Sequence, residues 1–292
     1  MRPIAVEQIL ERLGFLDPVA DSLQKLVGRG LAAGGPAADQ VKDLLNGRML
    51  GHPLHPALTD LPIGAWSCST LLDVADRGRG GELGRAADLL IGAGCLSGLA
   101  AAASGVADWQ DSYGPERRMG LAHALLNTAA LSLFGTSLLM RLGGFRRQAR
   151  PLSLGAFLLA VTGAFLGGEL VFRLGTQVNR NAWIGGPTEW TEIASSEELE
   201  PGTLLQRHRA GADILLARVG GKVCAVAAVC PHAGGPLQEG EVRGGEVICP
   251  WHGSRFDLRS GDVTHGPASV ALPTFESRTT PDGKVEVRKS PG

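Results

Sequence analysis

Two stretches of this sequence decide how it is read: Cys230-Pro231-His232-Ala233-Gly234-Gly235-Pro236-Leu237 and Cys249-Pro250-Trp251-His252-Gly253-Ser254-Arg255-Phe256-Asp257. Each offers one Cys and one His, as Cys-x-His, sixteen residues, then Cys-x-x-His. Two thiolates and two imidazoles on a pair of turns suit either a zinc ion or a two-iron, two-sulfur cluster in which one iron takes both Cys and the other both His. A Cys2His2 zinc finger usually presents both Cys first and both His later. The alternation here favours the cluster. The prolines and glycines agree, because backbone N–H groups must approach the sulfides and bulky side chains at the loop tips would block them.

Around these loops the chain reads as short strands with turn signals. Apolar and β-branched runs at Ile214–Val219, Val223–Val229, Glu246–Ile248 and Val285–Arg288 are separated by Gly220-Gly221, Gly244-Gly245 and Pro281-Asp282-Gly283. That spacing predicts a small all-β domain over residues 188–292. The two loops, with Gly261 and Gly266-Pro267-Ala268 after them, closely resemble the Rieske family of iron–sulfur domains. The resemblance covers about Thr188 to Val287 and implies a Rieske [2Fe–2S] cluster, with Cys230 and Cys249 on the inner iron and His232 and His252 on the outer, solvent-facing one. It implies antiparallel, barrel-like sheets that carry two cluster loops. In the cytochrome bc-complex type of this family each loop has an additional Cys, and the matching places here hold Gly235 and Trp251. A Tyr of that type is matched by Phe256, and Ser254 remains as a hydrogen-bond donor. The pattern is therefore of the ferredoxin type, and its potential is expected in the lower part of the Rieske range of about −150 to +300 mV. Cys224 reads as a core thiol, and His265 as a surface turn residue.

Upstream, the charges are unevenly placed. Uncharged runs of 12, 19, 22 and 18 residues lie between Asp60 and Asp73, Asp88 and Asp108, Arg118 and Arg141, and Arg150 and Glu169. A membrane-crossing helix needs roughly 20 mostly apolar residues. The last three runs meet that length, and the first falls short of it. Pairs such as Gly94 with Gly98 and Gly163 with Gly167 let helix backbones approach closely in lipid. The expectation is an all-α four-helix transmembrane bundle over residues 51–176, a linker over 177–187, and amphipathic helices over 1–50, broken at Asp17-Pro18. No cleaved signal peptide is expected after Met1-Arg2. Seven Arg fall in or beside the loops 76–85 and 141–150, which leans slightly toward placing those loops in the cytoplasm. Arg146-Arg147 reads as part of such a loop rather than as a twin-Arg signal.

The segment Gly51-His52-Pro53-Leu54-His55-Pro56-Ala57-Leu58, with Asp60-Leu61-Pro62-Ile63-Gly64, resembles a bacterial membrane-domain family of unknown function, over about Asn46 to Gly175. Four crossings would bring His55, Asp60, Asp108, His123, Asn127 and Glu169 near one membrane face. These read either as helix-end groups paired with Arg or His, or as a site in which His55 and His123 hold haem b or the cluster binds a quinone head group.

The net charge of −1, from 28 Lys+Arg and 29 Asp+Glu, excludes a nucleic-acid surface. Five Cys in a 292-residue chain argue against a disulfide scaffold. The function expected is a membrane-anchored carrier that passes single electrons between a redox partner (a reductase, an oxygenase or a respiratory component) and an acceptor. It would sit as a multi-pass protein in a bacterial cell membrane, in contact with lipid and open to forming a homodimer. No residue takes a catalytic role. A complete ring-hydroxylating oxygenase would need a mononuclear iron site after the cluster, and the 40 residues beyond His252 hold one further His. The alternatives are a ferredoxin component of an oxygenase system and a haem- or quinone-linked membrane redox enzyme.

Overall fold

A computed structural model of the chain describes residues 13–76 and 80–290. They fall into two compact units. One comprises the described residues up to Val41 and Leu54–Thr176, and the other Lys42–Pro53 and the described residues from Gln177 on.

Among the described residues there are five α-helices: α1 (Asp17–Leu45), α2 (Leu54–Asp76), α3 (Glu82–Trp109), α4 (Gly114–Leu142) and α5 (Arg146–Phe172). The break expected at Asp17-Pro18 is the start of α1, where proline's missing N–H costs nothing. The earlier amphipathic helix falls largely on residues 1–12, outside the described residues; Leu13–Leu16 forms a 3-10 turn. α1 runs on to Leu45 through a kink at Gly35, whose φ of 54° and ψ of −145° only glycine adopts easily, just before Pro36.

α3, α4 and α5 are long and apolar enough to cross a membrane. α2 does not qualify, in keeping with its short uncharged run. α2 packs chiefly on α3, and α4 on α5. Glycine makes the first contact possible: a Cβ at Gly94 would stand 2.3 Å from Trp66 Nε1, so the indole lies directly on the α3 backbone. Trp66 also stacks on Phe134 of α4, with ring centroids 4.5 Å apart. The outward faces carry Leu89, Leu96, Leu139 and Phe165, all more than half exposed.

Charge lies inside this unit. Arg141, read from the sequence as a loop-flanking cation, has no exposed side-chain surface. Its guanidinium donates to both carboxylate oxygens of Asp73, to Asp88 Oδ1 at 3.2 Å and to Ser153 Oγ at 2.7 Å. Arg146 pairs with Asp88, and Arg150 donates to the Asp73 carbonyl at 2.6 Å. Three of the Arg counted as free loop charge are therefore committed to helix–helix pairing, which weakens the orientation they suggested. Arg77 and Arg79 lie outside the described residues.

The second unit is all-β and antiparallel. β1 (Thr191–Ser195), β2 (Leu205–Arg209), β3 (Ala212–Val219), β4 (Lys222–Ala227), β9 (Thr274–Thr279) and β10 (Lys284–Lys289) form a six-stranded sheet in the order β1-β10-β9-β4-β3-β2. β5 (Glu241–Arg243), β6 (Glu246–Ile248), β7 (Arg255–Asp257) and β8 (Val263–His265) form a four-stranded sheet in sequence order. β3 is buried on both faces. Leu215, Ala217 and Val219 enter a core shared with Val247, Phe256 and the two loop cysteines, whereas Ile214 and Leu216 enter another with Val285 and Val287. A strand covered on both sides must be apolar at nearly every position, as Ile214-Leu215-Leu216-Ala217 is.

The stretch 177–187, expected as a linker, packs on the β unit. Gly186 N–H donates to Ala210 O at 2.8 Å, and the buried Asn181 Nδ2 donates to Val229 O at 2.7 Å. Lys42–Pro53 joins the same unit: Asp43 Oδ1 accepts from Gly266 N–H at 2.8 Å and lies 3.2 Å from His265 Nδ1. His265 is thus a strand residue facing a carboxylate rather than a surface turn.

Candidate metal centre

The two Cys/His loops have one backbone design. In each, the Cys carbonyl accepts from a glycine N–H four residues on: Gly234 to Cys230 at 2.9 Å, and Gly253 to Cys249 at 3.1 Å. In each, the Cys N–H donates to the carbonyl five residues on: Cys230 to Gly235 at 2.9 Å, and Cys249 to Ser254 at 2.8 Å. Both closing glycines have positive φ, 87° and 75°, which explains why glycine stands there. The loops leave from β4 and β6, elements of different sheets, so the fold sets them opposite each other. They differ in where His stands, two residues after Cys230 and three after Cys249.

The structure brings all four expected donors together. Cys230 and Cys249 are buried and hydrogen-bonded through sulfur. The Cys230 thiol donates to Cys249, which lowers the Cys249 pKa against the cost of burial; the backbone N–H groups of Trp251 and His252 add to the effect. Cys230 is correspondingly raised, by that hydrogen bond and by burial. The His232 and His252 rings lie 5.0 Å apart, centroid to centroid, with planes at 87°. Burial pushes His232 down to about 3, and the charges of His252, Lys42 and Arg180 act in the same direction.

These residues fit a two-iron cluster. Two imidazoles that share a tetrahedral metal at about 2.0–2.1 Å have ring centroids about 5 Å apart. His232 Nδ1 is buried with no hydrogen-bond partner, a cost that a metal bond would remove. Around no single point do the described residues gather three or more His, Cys, Asp or Glu. A structural zinc takes four protein ligands, whereas each iron of the cluster takes two. Gly235 is also forced, since a Cβ there would meet Cys249 Sγ at 2.7 Å.

Both histidines are half-buried, and their neighbours differ. His232 lines a small cleft with Gln177, Asn179, Pro231, Ser269 and Val270. His252 follows Trp251, which is 47% exposed. Ser254 is fully buried and its Oγ accepts from Ala268 N–H at 3.0 Å, tying the second loop to the Gly266-Pro267-Ala268 turn. Phe256 is wholly buried in the core. Sequence reasoning missed Asn179, Arg180, Asn181 and Asp43. Asp43 meets Gly266 from 223 residues away, a separation that no local pattern signals. Cys224 is half-buried on β4, and burial raises its pKa.

Of the polar residues of the helical unit, His55 and His123 come together, with ring centroids 6.1 Å apart. Asn127 lies against His123. Glu169 pairs with Arg173 at 3.2 Å. Asp60 is exposed.

The Rieske [2Fe–2S] domain model matches residues 189–276, and the model described as a predicted membrane protein (DUF2231) matches residues 51–180. Ferredoxin CarAc of Metapseudomonas resinovorans is 32% identical over 99 residues, 34% of this chain and 92% of that protein. The ferredoxin component of biphenyl 2,3-dioxygenase from Rhodococcus jostii (strain RHA1) is 38% identical over 85 residues, 29% of this chain and 79% of its own length. Apoptosis-inducing factor 3 of Mus musculus is 33% identical over 98 residues, and there the chain spans only 16% of the relative's length. The family models thus agree with the loops and the helices in kind and in order: this chain belongs to the Rieske [2Fe–2S] family and carries that domain after a domain of a predicted membrane protein family.

Proposed function

We propose that the chain is a membrane-anchored one-electron carrier, with α3, α4 and α5 crossing a bacterial membrane as a multi-pass anchor. The observation that carries the reading is the pair of matched loops, with two buried thiols and two perpendicular imidazoles 5.0 Å apart. A Rieske cluster held there would take up and release one electron at a time. The protein's own residues do the rest. Cys230 and Cys249 would hold one iron of the cluster, and His232 and His252 the other. Trp251 beside His252 gives a reductase or an acceptor protein an exposed aromatic contact. Buried Phe256, with no hydroxyl, and the single Ser254 hydroxyl keep hydrogen bonding near the sulfurs sparse, so the midpoint belongs below about +200 mV in the Rieske range. The ferredoxin relatives favour a second, narrower reading: delivery of electrons to an oxygenase component.

The test is the full chain purified anaerobically in detergent. The reduced protein should give a Rieske-type EPR signal, with non-haem iron and acid-labile sulfide in equal amounts. Cys249→Ser should abolish the signal and the cluster's visible absorbance. A colourless wild-type protein loaded with zinc, or a midpoint above about +200 mV, would overturn the assignment or its placement in the range.

A further inference from the structure

We propose that the helical unit is itself a redox module, with a b-type haem held between His55 and His123. His55 stands at the start of α2 and His123 in the first half of α4, and their ring planes are at 84°. The same device turns both rings. His55 Nδ1 lies 2.8 Å from Ala101 O of α3, and His123 Nδ1 lies 2.8 Å from Gly163 O of α5. A carbonyl only accepts, so Nδ1 carries the proton in each ring and Nε2 keeps the lone pair. Metal-binding histidines almost always donate their other N–H to a carbonyl, a carboxylate or water, which fixes tautomer and orientation. Glycines seat the rings on the helices: a Cβ at Gly105 would stand 2.8 Å from His55 Cε1, and one at Gly167 would stand 3.2 Å from His123 Cε1. Asn127 Nδ2 donates to the His123 carbonyl at 2.9 Å and also lies within hydrogen-bond distance of the ring, 3.4 Å from Nδ1 and 3.3 Å from Nε2, so a metal bound at Nε2 would displace that second contact.

The separation fits such a pair. Two imidazoles trans to each other on one metal at about 2.0–2.1 Å have centroids about 6.3 Å apart, against about 5 Å for two that share a tetrahedral metal. The 6.1 Å of His55 and His123 matches the first, and the 5.0 Å of His232 and His252 matches the second. Donor count then selects the group. Among the described residues no third His, Cys, Asp or Glu joins the pair. A bare ion would have two protein donors here, whereas a porphyrin brings four nitrogens of its own and needs only an axial pair. Facing helices of a bundle commonly hold such cofactors.

The experiment uses the full chain, expressed with haem supplied and purified in detergent. One b haem per chain with a low-spin ferric spectrum is expected. His55→Gly and His123→Gly should each lose the low-spin spectrum, and added imidazole should restore it, which a packing role would not do. The Rieske EPR signal, read on the same samples, should not change, so this site and the cluster stand or fall separately. If the variants do not fold, haem content of the wild-type chain decides alone. Wild-type protein that keeps its Rieske signal but neither contains nor binds haem would overturn the proposal, as would an unchanged haem spectrum in both variants.

Discussion

The helical unit and the β unit of this chain are built with opposite polarity. The β unit hides apolar side chains in two cores and shows ion pairs such as Arg243 with Glu241 at its surface. The helical unit shows leucines and phenylalanines outward and hides Arg141 among Asp73, Asp88, Ser137 and Ser153. In lipid, association of helices gains little from apolar burial, so close packing through glycine and interior polar contacts must hold them together. The contrast is the one a lipid-embedded helical unit, as proposed above, would show against a β unit in water.

The sharpest way to break this contrast is to remove the buried cation. Arg141→Ala leaves Asp73 without its main partner and Asp88 with Arg146 alone, and should cost about 3–5 kcal/mol, read as a lowered melting temperature of the helical unit in detergent. Arg243→Ala, at an exposed pair, should cost no more than about 1 kcal/mol. Equal losses would refute the inverted design. Next in size is Gly94→Ala, whose methyl group collides with Trp66; the expected loss is about 1–3 kcal/mol, with a shift in Trp fluorescence. An unshifted, fully stable variant would show that glycine there is compositional.

The smallest effect lies in the β unit. Asp257 Oδ1 accepts from Arg259 and Ser260 N–H at 2.7 and 3.0 Å, and the Ser260 hydrogen bond leads in holding its pKa below 3.8. A carboxylate with a depressed folded-state pKa stabilises above its unfolded value and loses that contribution as pH falls through the folded one. Asp257→Ala should therefore lower urea stability at pH 7 by about 0.5–1 kcal/mol, and the gap should narrow below pH ~4. A gap that widened on acidification would reverse the sign of this argument.

Much of the site could be read locally. Cys230, His232, Cys249 and His252, the proposed ligands, stand out because a cluster needs set donors on short, glycine-bearing turns, and four to six residues suffice to build each turn. The uncharged runs were legible for a similar reason, since a crossing helix is a continuous property of the chain. Arg141 was misjudged because a cation at a helix end looks the same whether it faces water or two aspartates. The stretch 177–187 was misjudged because its Gly and Pro content resembles that of a free linker.

What the sequence determined alone is therefore the candidate donor set, the order of an apolar helical part and a β part, and the short strands between glycine turns, all of which depend on neighbours along the chain. Tertiary structure alone decided that His232 lines a small cleft while Trp251 beside His252 is exposed, that Asp43 reaches Gly266, and that His55 and His123 come within 6.1 Å, centroid to centroid. Those pairings join residues tens to hundreds of positions apart. Their energy depends on distance in space, which a linear pattern of residue types does not encode.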